Sequence, residues 1–254
     1  MAKAKTTPAP TTGGRLAGKI AVVTGAAGNL GGHIVRHYLA EGATVVMTGR
    51  TPARTDAAAE AIRAEMGVDA DRLGTVALDG GDPQSVRDAV ADVVSRFGRI
   101  DMLVNTAGSA GPKQTLEQLP PSDAELAMLQ KAGSTDSETV GAAIRNIFGV
   151  AWNVSRAAAT AMAEGGSIIN VSTIFSRTPY YARTAYVVPK AAMNAFSREL
   201  SLELGPRGIR VNLVFPGPIE SERIRSWLSV CRIQAVQTRP DARRRCRSRG
   251  SRDS

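Results

Sequence analysis

Six short runs rich in β-branched residues, at 20–24, 44–48, 75–78, 100–105, 167–172 and 209–215, alternate with five stretches of helical period, at 30–41, 54–66, 83–96, 137–163 and 185–204. No other feature of the chain restricts its fold as much. Near-continuous apolar strands need cover on both sides, so helices must pack on the two faces of a parallel sheet. Right-handed crossovers then give a doubly wound α/β sheet, with its ligand crevice at the carboxyl ends of the strands. A chain of 254 residues is long enough to bury the core of one such domain without disulfide staples. The stretch 109–136 exceeds a plain connection and is expected to add to a binding face. Within it Met128 and Leu129 read as packing residues.

The net charge of +9 raises the question of nucleic acid, and its distribution answers it. Eight of the 32 basic residues but only two of the 23 acidic ones fall in 231–254, so the rest of the chain is close to balanced. A nucleic-acid partner is therefore not expected for the domain. Cys231 and Cys246 lie in the same basic stretch, which is neither a disulfide framework nor a metal-ligand pattern. No apolar run approaches the roughly 18 residues of a membrane span. Residues 1–14 read as a flexible leader with no apolar signal segment, and the expected location is the cytoplasm.

The first run leads directly into Thr24-Gly25-Ala26-Ala27-Gly28-Asn29-Leu30-Gly31 and then a helix. Glycines at 25, 28 and 31 permit a tight turn and let backbone N–H groups approach a pyrophosphate at the helix N-terminus. Asn29 tolerates a positive φ, should the turn need one there. The second run ends in Gly49-Arg50, where a fold selective for NAD places an acid on the ribose 2′-hydroxyl. Here the glycine is expected to leave space, and the guanidinium suits a 2′-phosphate, which favours NADP. Tyr186 and Lys190 stand four apart, on one face of a helix. A nearby ammonium is expected to lower the phenol pKa towards use near neutrality. His33 and His37 also stand four apart, but beside an apolar stripe of Ile34, Val35, Tyr38 and Leu39, and no metal site is expected.

Taken in order, these elements resemble the short-chain dehydrogenase/reductase family over 15–227. The resemblance rests on the Gly loop, Asn105-Thr106-Ala107-Gly108, Asn146, Ser172-Thr173, Tyr186 with Lys190, and Pro216-Gly217. It implies a single domain of Rossmann type in which Tyr186 is the general acid and Lys190 also holds the nicotinamide ribose. It implies too that a hydroxyl orients the carbonyl and that Asn146 supports a proton relay. Adenine contact by Asp79 and cofactor support by Asn105, Ala107, Gly108, Pro216, Gly217 and Ile219 complete the implied site, alongside Gly25, Gly28, Asn29, Leu30, Gly31 and Arg50. The family's serine usually stands thirteen residues before the tyrosine; that position is Thr173, with Ser172 at fourteen, and both are named. The Gly loop follows the longer members of the family, the remainder the shorter ones.

Two stretches, 170–190 and 210–225, resemble more narrowly the N-terminal reductase regions of the bifunctional malonyl-CoA reductases. This implies reduction of malonate semialdehyde to 3-hydroxypropionate, a small anion whose carboxylate Arg177 or Arg183 would hold. The alternatives are a general short-chain reductase of 3-oxoacyl or sugar-like substrates and a catalytically silent NADP-binding protein. The resemblance also implies a lid, a helix and a seventh strand after Pro216-Gly217, and homo-oligomers for the intact fold. Residues 228–254 show neither strand nor helix period, and 241–249 read like out-of-frame translation. The expectation is an aberrant or truncated end that lacks the last strand and helix; the alternative is a nucleic-acid or membrane tether.

Overall fold

The computed structural model describes residues 13–108, 143–179 and 183–219. The leader up to residue 12, the stretch 109–136 with Met128 and Leu129, the start of the 137–163 helix and the tail from 220 lie outside these residues. Residues from Pro218 onward form a separate unit, of which Pro218 and Ile219 are described.

Within the first unit the order is β1 (Ile20–Thr24), α1 (Asn29–Ala40), β2 (Thr44–Gly49), α2 (Pro52–Met66), β3 (Leu73–Ala77), α3 (Pro83–Phe97) and β4 (Ile100–Asn105). A π-helical segment, Ile144–Gly149, then runs into α4 (Val150–Ala161), followed by β5 (Met162–Val171), α5 (Thr184–Leu204) and β6 (Arg210–Val214). The six strands form one sheet in the order β3-β2-β1-β4-β5-β6, and every pairing is parallel. The expected doubly wound sheet is present.

Strand alternation divides the core in two. Val22, Val46, Leu103 and Ile168 face Val86 and Val93 of α3, Val154 and Ala158 of α4, and Leu200 of α5. Ala21, Val23, Val45, Met47 and Val104 face Val35 and Leu39 of α1 and Ala59 and Ile62 of α2. The helix ends follow local chemistry. Asp82 accepts the Gln84 N–H at 2.9 Å with Pro83 in the first turn of α3, and α2 stops at Gly67 in the left-handed region. His33 and His37 are exposed on α1, away from its core face. Among the described residues no helix is long and apolar enough to cross a membrane.

The continuous helix expected over 137–163 is corrected at both described points. Its residues 144–149 are π-helical, and Met162 and Ala163 already belong to β5. An apolar run fits a strand as well as a helix; here Gly165, with φ 75°, follows in the strand and breaks helical continuation. Gly14 also departs from a loose leader: its carbonyl accepts the Ala17 N–H, and a Cβ there would strike the Glu41 carbonyl.

Candidate active site

The carboxyl ends of β1, β4 and β5 lie side by side, and each delivers a polar residue to one crevice. From β1, Thr24 leads into the Gly loop. Gly25 has φ 64°, and a Cβ there would stand 2.9 Å from the Ala107 Cα, so only glycine fits this junction with the β4 turn. Gly31 packs so closely under the loop that a Cβ would lie 2.5 Å from the Gly25 carbonyl. The left-handed residue is therefore Gly25, whereas Asn29, considered for that part, is the first helical residue of α1. Gly28 precedes it as an extended N-cap without a side-chain bond, so backbone N–H groups head the helix. Leu30 is partly buried against the α1–α2 side of the core rather than turned to the crevice alone.

At the end of β2 the space expected beside Gly49 is filled: a Cβ would stand 2.6 Å from Thr55 Oγ1, which bonds the Thr51 carbonyl at 3.2 Å. Arg50 is exposed, as is Arg54 on the first turn of α2, a basic residue the sequence reading passed over. Asp79 is exposed after β3; its Oδ1 accepts the Gly81 N–H at 3.0 Å, and its own N–H donates to Ser85 Oγ at 3.0 Å.

Asn105 ends β4 and is buried. Its amide donates to Ser155 Oγ of α4 at 3.0 Å and to Asn170 Oδ1 of β5 at 2.8 Å, and Asn170 donates onward to Ser197 Oγ of α5 at 2.8 Å. It thus braces the strand ends. Ala107 N–H bonds Thr24 Oγ1 at 3.3 Å, and Gly108, with φ 146°, lies beside the Lys190 ammonium. Asn146 sits half-buried in the π-helical segment, whose Ile147 packs with Ala151 and Met193 against the Tyr186 ring. Such π insertions recur at functional sites because the extra residue re-aims the side chains around it.

After β5 the two adjacent hydroxyls part company. Ser172 is 3% exposed and donates to Asn194 Oδ1 at 2.6 Å. Thr173 places its hydroxyl beside the Tyr186 phenol. Burial raises the Tyr186 phenol pKa; the Thr173 hydroxyl and the nearby Arg183 charge pull it back in part. The expected lowering by Lys190 is therefore corrected. Arg183 supplies the nearby charge, while the Lys190 ammonium donates to the Val171 carbonyl at 2.6 Å. Of the two candidate arginines, Arg183 occupies the N-cap position of α5, its charge near the phenol. Arg177 is exposed, its guanidinium 5.3 Å from the centre of the Phe215 ring. Pro216 accepts the Ile174 N–H at 3.0 Å, which ties the β6 exit to the Thr173 turn, and Gly217 follows it, exposed. Ile219 belongs to the separate unit. Asn194 and Ser176, absent from the sequence reading, join this site; the spacing 186, 190, 194 was the available signal.

Burial pushes the Lys190 ammonium down from 10.5 to about 8. Below pH 8 both folded and unfolded chains hold the proton. Between there and the unfolded value the unfolded chain binds more protons, so stability rises with pH. Without cofactor, this residue is expected to add on the order of 3 kcal/mol across that window. Denaturant titrations from pH 7 to 10 check it, since Lys190→Met should lack the rise.

The short chain dehydrogenase family model matches residues 19–229. The NADP-bound N-domain of a bacterial malonyl-CoA reductase superposes with a TM-score of 0.79 at 78% identity, covering 86% of this chain and 40% of that one. A short chain dehydrogenase from Burkholderia cenocepacia J2315, solved with NADP, gives 0.69 at 32% identity over 82% of this chain and 77% of its own. Glucose and ribitol dehydrogenase of Daucus carota is 34% identical over 81% of this chain and 66% of its own length. The chain thus spans under half of the first of these proteins and about two thirds of the last. With the glycine junction, the Thr173–Tyr186 pair and Lys190 placed at one crevice, the chain belongs to the short-chain dehydrogenase family.

Proposed function

We propose that the chain is an NADP-dependent reductase of a small anionic aldehyde, with malonate semialdehyde, reduced to 3-hydroxypropionate, as the substrate it fits best. The observation that carries this reading is the buried Tyr186 phenol, with the Thr173 hydroxyl and the Arg183 charge beside it. The 78% identity to a malonyl-CoA reductase N-domain supports the substrate class. The site residues fit the dinucleotide. The glycine junction brings backbone close to where a pyrophosphate meets the α1 N-terminus, and Arg50 is exposed at the β2 end between Gly49 and Thr51. Gly25, Gly28, Asn29, Leu30 and Gly31 would hold the pyrophosphate, Arg50 the 2′-phosphate, Asp79 the adenine, and Lys190 with the 105–108 and 216–217 turns the nicotinamide end.

NADPH supplies the hydride that reaches the carbonyl carbon. Thr173 donates to the carbonyl oxygen and orients it. Tyr186 gives that oxygen its proton as the alcohol forms, and Asn146 supports return of a proton to the phenol. Arg183 pairs the substrate carboxylate, since an unpaired buried charge is too costly. Ser172, committed to Asn194, takes no part in the chemistry. Self-association belongs to the same reading: Trp152 stacks at 4.9 Å on Phe196 and lies 5.9 Å from Phe148, yet remains 46% exposed. An assay of NADPH oxidation with malonate semialdehyde, a neutral aldehyde of similar size and a sugar tests the proposal. A preference for the neutral compounds would overturn the substrate class.

Cofactor choice has its own test. Arg50→Ala is expected to weaken NADPH binding by about 10–100-fold, the worth of one charge-assisted bond. NADH binding should change by less than about twofold. Fluorescence titration of both cofactors reads this, and an equal loss for both would remove Arg50 from the 2′-phosphate.

A further inference from the structure

We propose that Asn194, acting with Ser172 and Ser176, is a positioning device that ties the helix carrying Tyr186 and Lys190 to the turn carrying Thr173. The proposal rests on the roles given above to Tyr186 and Thr173. Tyr186, Lys190 and Asn194 recur every four residues along α5 and share one face. From that face Asn194 reaches both ends of the short segment that contains Thr173.

The bonds run in one direction, and each proton is used once. The Ser172 hydroxyl donates to Asn194 Oδ1 at 2.6 Å, which fixes which way the amide points. The Asn194 amide then donates to Ser176 Oγ at 2.9 Å, and the Ser176 hydroxyl donates to the Thr173 carbonyl at 2.6 Å. Ser172 and Ser176 lie 3.2 Å apart, but with both protons already committed they touch without bonding. The Ser172 oxygen also lies 3.3 Å from the Lys190 carbonyl, so the loop closes on the turn of helix that bears the lysine. Thr173 Oγ1 accepts the Phe175 N–H at 3.4 Å, which leaves its own proton free for the phenol, or for the substrate oxygen once substrate is bound.

Backbone bonds hold the turn without this device: Ser172 N–H to Val214, Ile174 N–H to Pro216 and Ser176 N–H to Thr173. They set the shape of the turn, but none of them joins it to α5. The Asn194 bonds do, and Asn194 and Ser172 are both buried, where such bonds exclude competing water. A hydroxyl and a phenol bond only within a few tenths of an ångström, and a misplacement of about 1 Å at a reacting group costs about 100-fold.

Asn194→Leu, close in volume, is expected to lower kcat by about 10–100-fold with KM and NADPH affinity within about twofold. In a Thr173→Val background the same change should cost less than about twofold more, because the hydroxyl it aims is gone. Ser176→Ala removes the last link without altering packing and should lower kcat in the same manner, while Ser176→Thr, which keeps the hydroxyl, should restore it. This second pair decides the matter if Asn194→Leu does not fold. Equal losses in both backgrounds, or full kcat in Asn194→Leu and Ser176→Ala while Thr173→Val is crippled, would overturn the positioning role and leave the site reading intact. A harmless Thr173→Val would overturn both.

Discussion

Tyr186→Phe is expected to reduce kcat for the aldehyde by about 10²–10⁴-fold while NADPH still binds. The ring packs against Ile147, Ala151 and Met193, and phenylalanine keeps that packing, so only the proton is lost. The hydroxyl of Thr173 would remain to orient the carbonyl, which separates orientation from protonation. Single-turnover measurement of cofactor oxidation, beside a cofactor titration, tests the expectation. A folded variant that keeps more than about a tenth of its turnover would place the proton donor elsewhere.

Arg183→Met is expected to cost about 2–5 kcal/mol in kcat/KM for the anionic aldehyde, the penalty for leaving a buried carboxylate without its partner. For a neutral aldehyde the loss should be small but not zero. Arg183 also helps to draw down the Tyr186 pKa, and that help disappears with either substrate. Arg177→Met should change neither rate appreciably, because its guanidinium sits over the Phe215 ring at the exposed edge. Measuring kcat/KM for both aldehydes in both variants resolves the two arginines. Equal losses for charged and neutral substrates in Arg183→Met would assign the residue to the phenol alone.

The strands, their parallel arrangement and the Tyr186–Lys190 spacing were legible because each rests on a period along the chain. The choice between Ser172 and Thr173 was not. Neighbouring residues at a strand end point in opposite directions, and which one meets the tyrosine depends on a helix that follows later in the chain. Arg177 and Arg183 looked alike for the same reason. Gly49 read as open space, yet Thr55, six residues on, fills it; composition does not report such packing. The spacing 186, 190, 194 marks Asn194 as sharing a helix face with the pair, but a buried amide takes its meaning from partners that spacing does not name. The phenol's direction of shift was misjudged because spacing set Lys190 near Tyr186 but did not reveal that the ammonium turns to Val171.

The buried amides under the site bear on how the domain assembles. β4 and β5 pair Leu103 with Ile168, Val104 with Ile169 and Asn105 with Asn170. A shift by one residue would turn apolar groups to the wrong face, but a shift by two would keep every face and lose little apolar burial. The facing asparagines penalise that second error, since it strands an amide in an apolar layer. Their remaining bonds go to Ser155 of α4 and Ser197 of α5, so correct pairing is completed only after both helices have docked. Parting β4 from either covering helix at this level therefore costs the buried amides a partner as well as apolar contact.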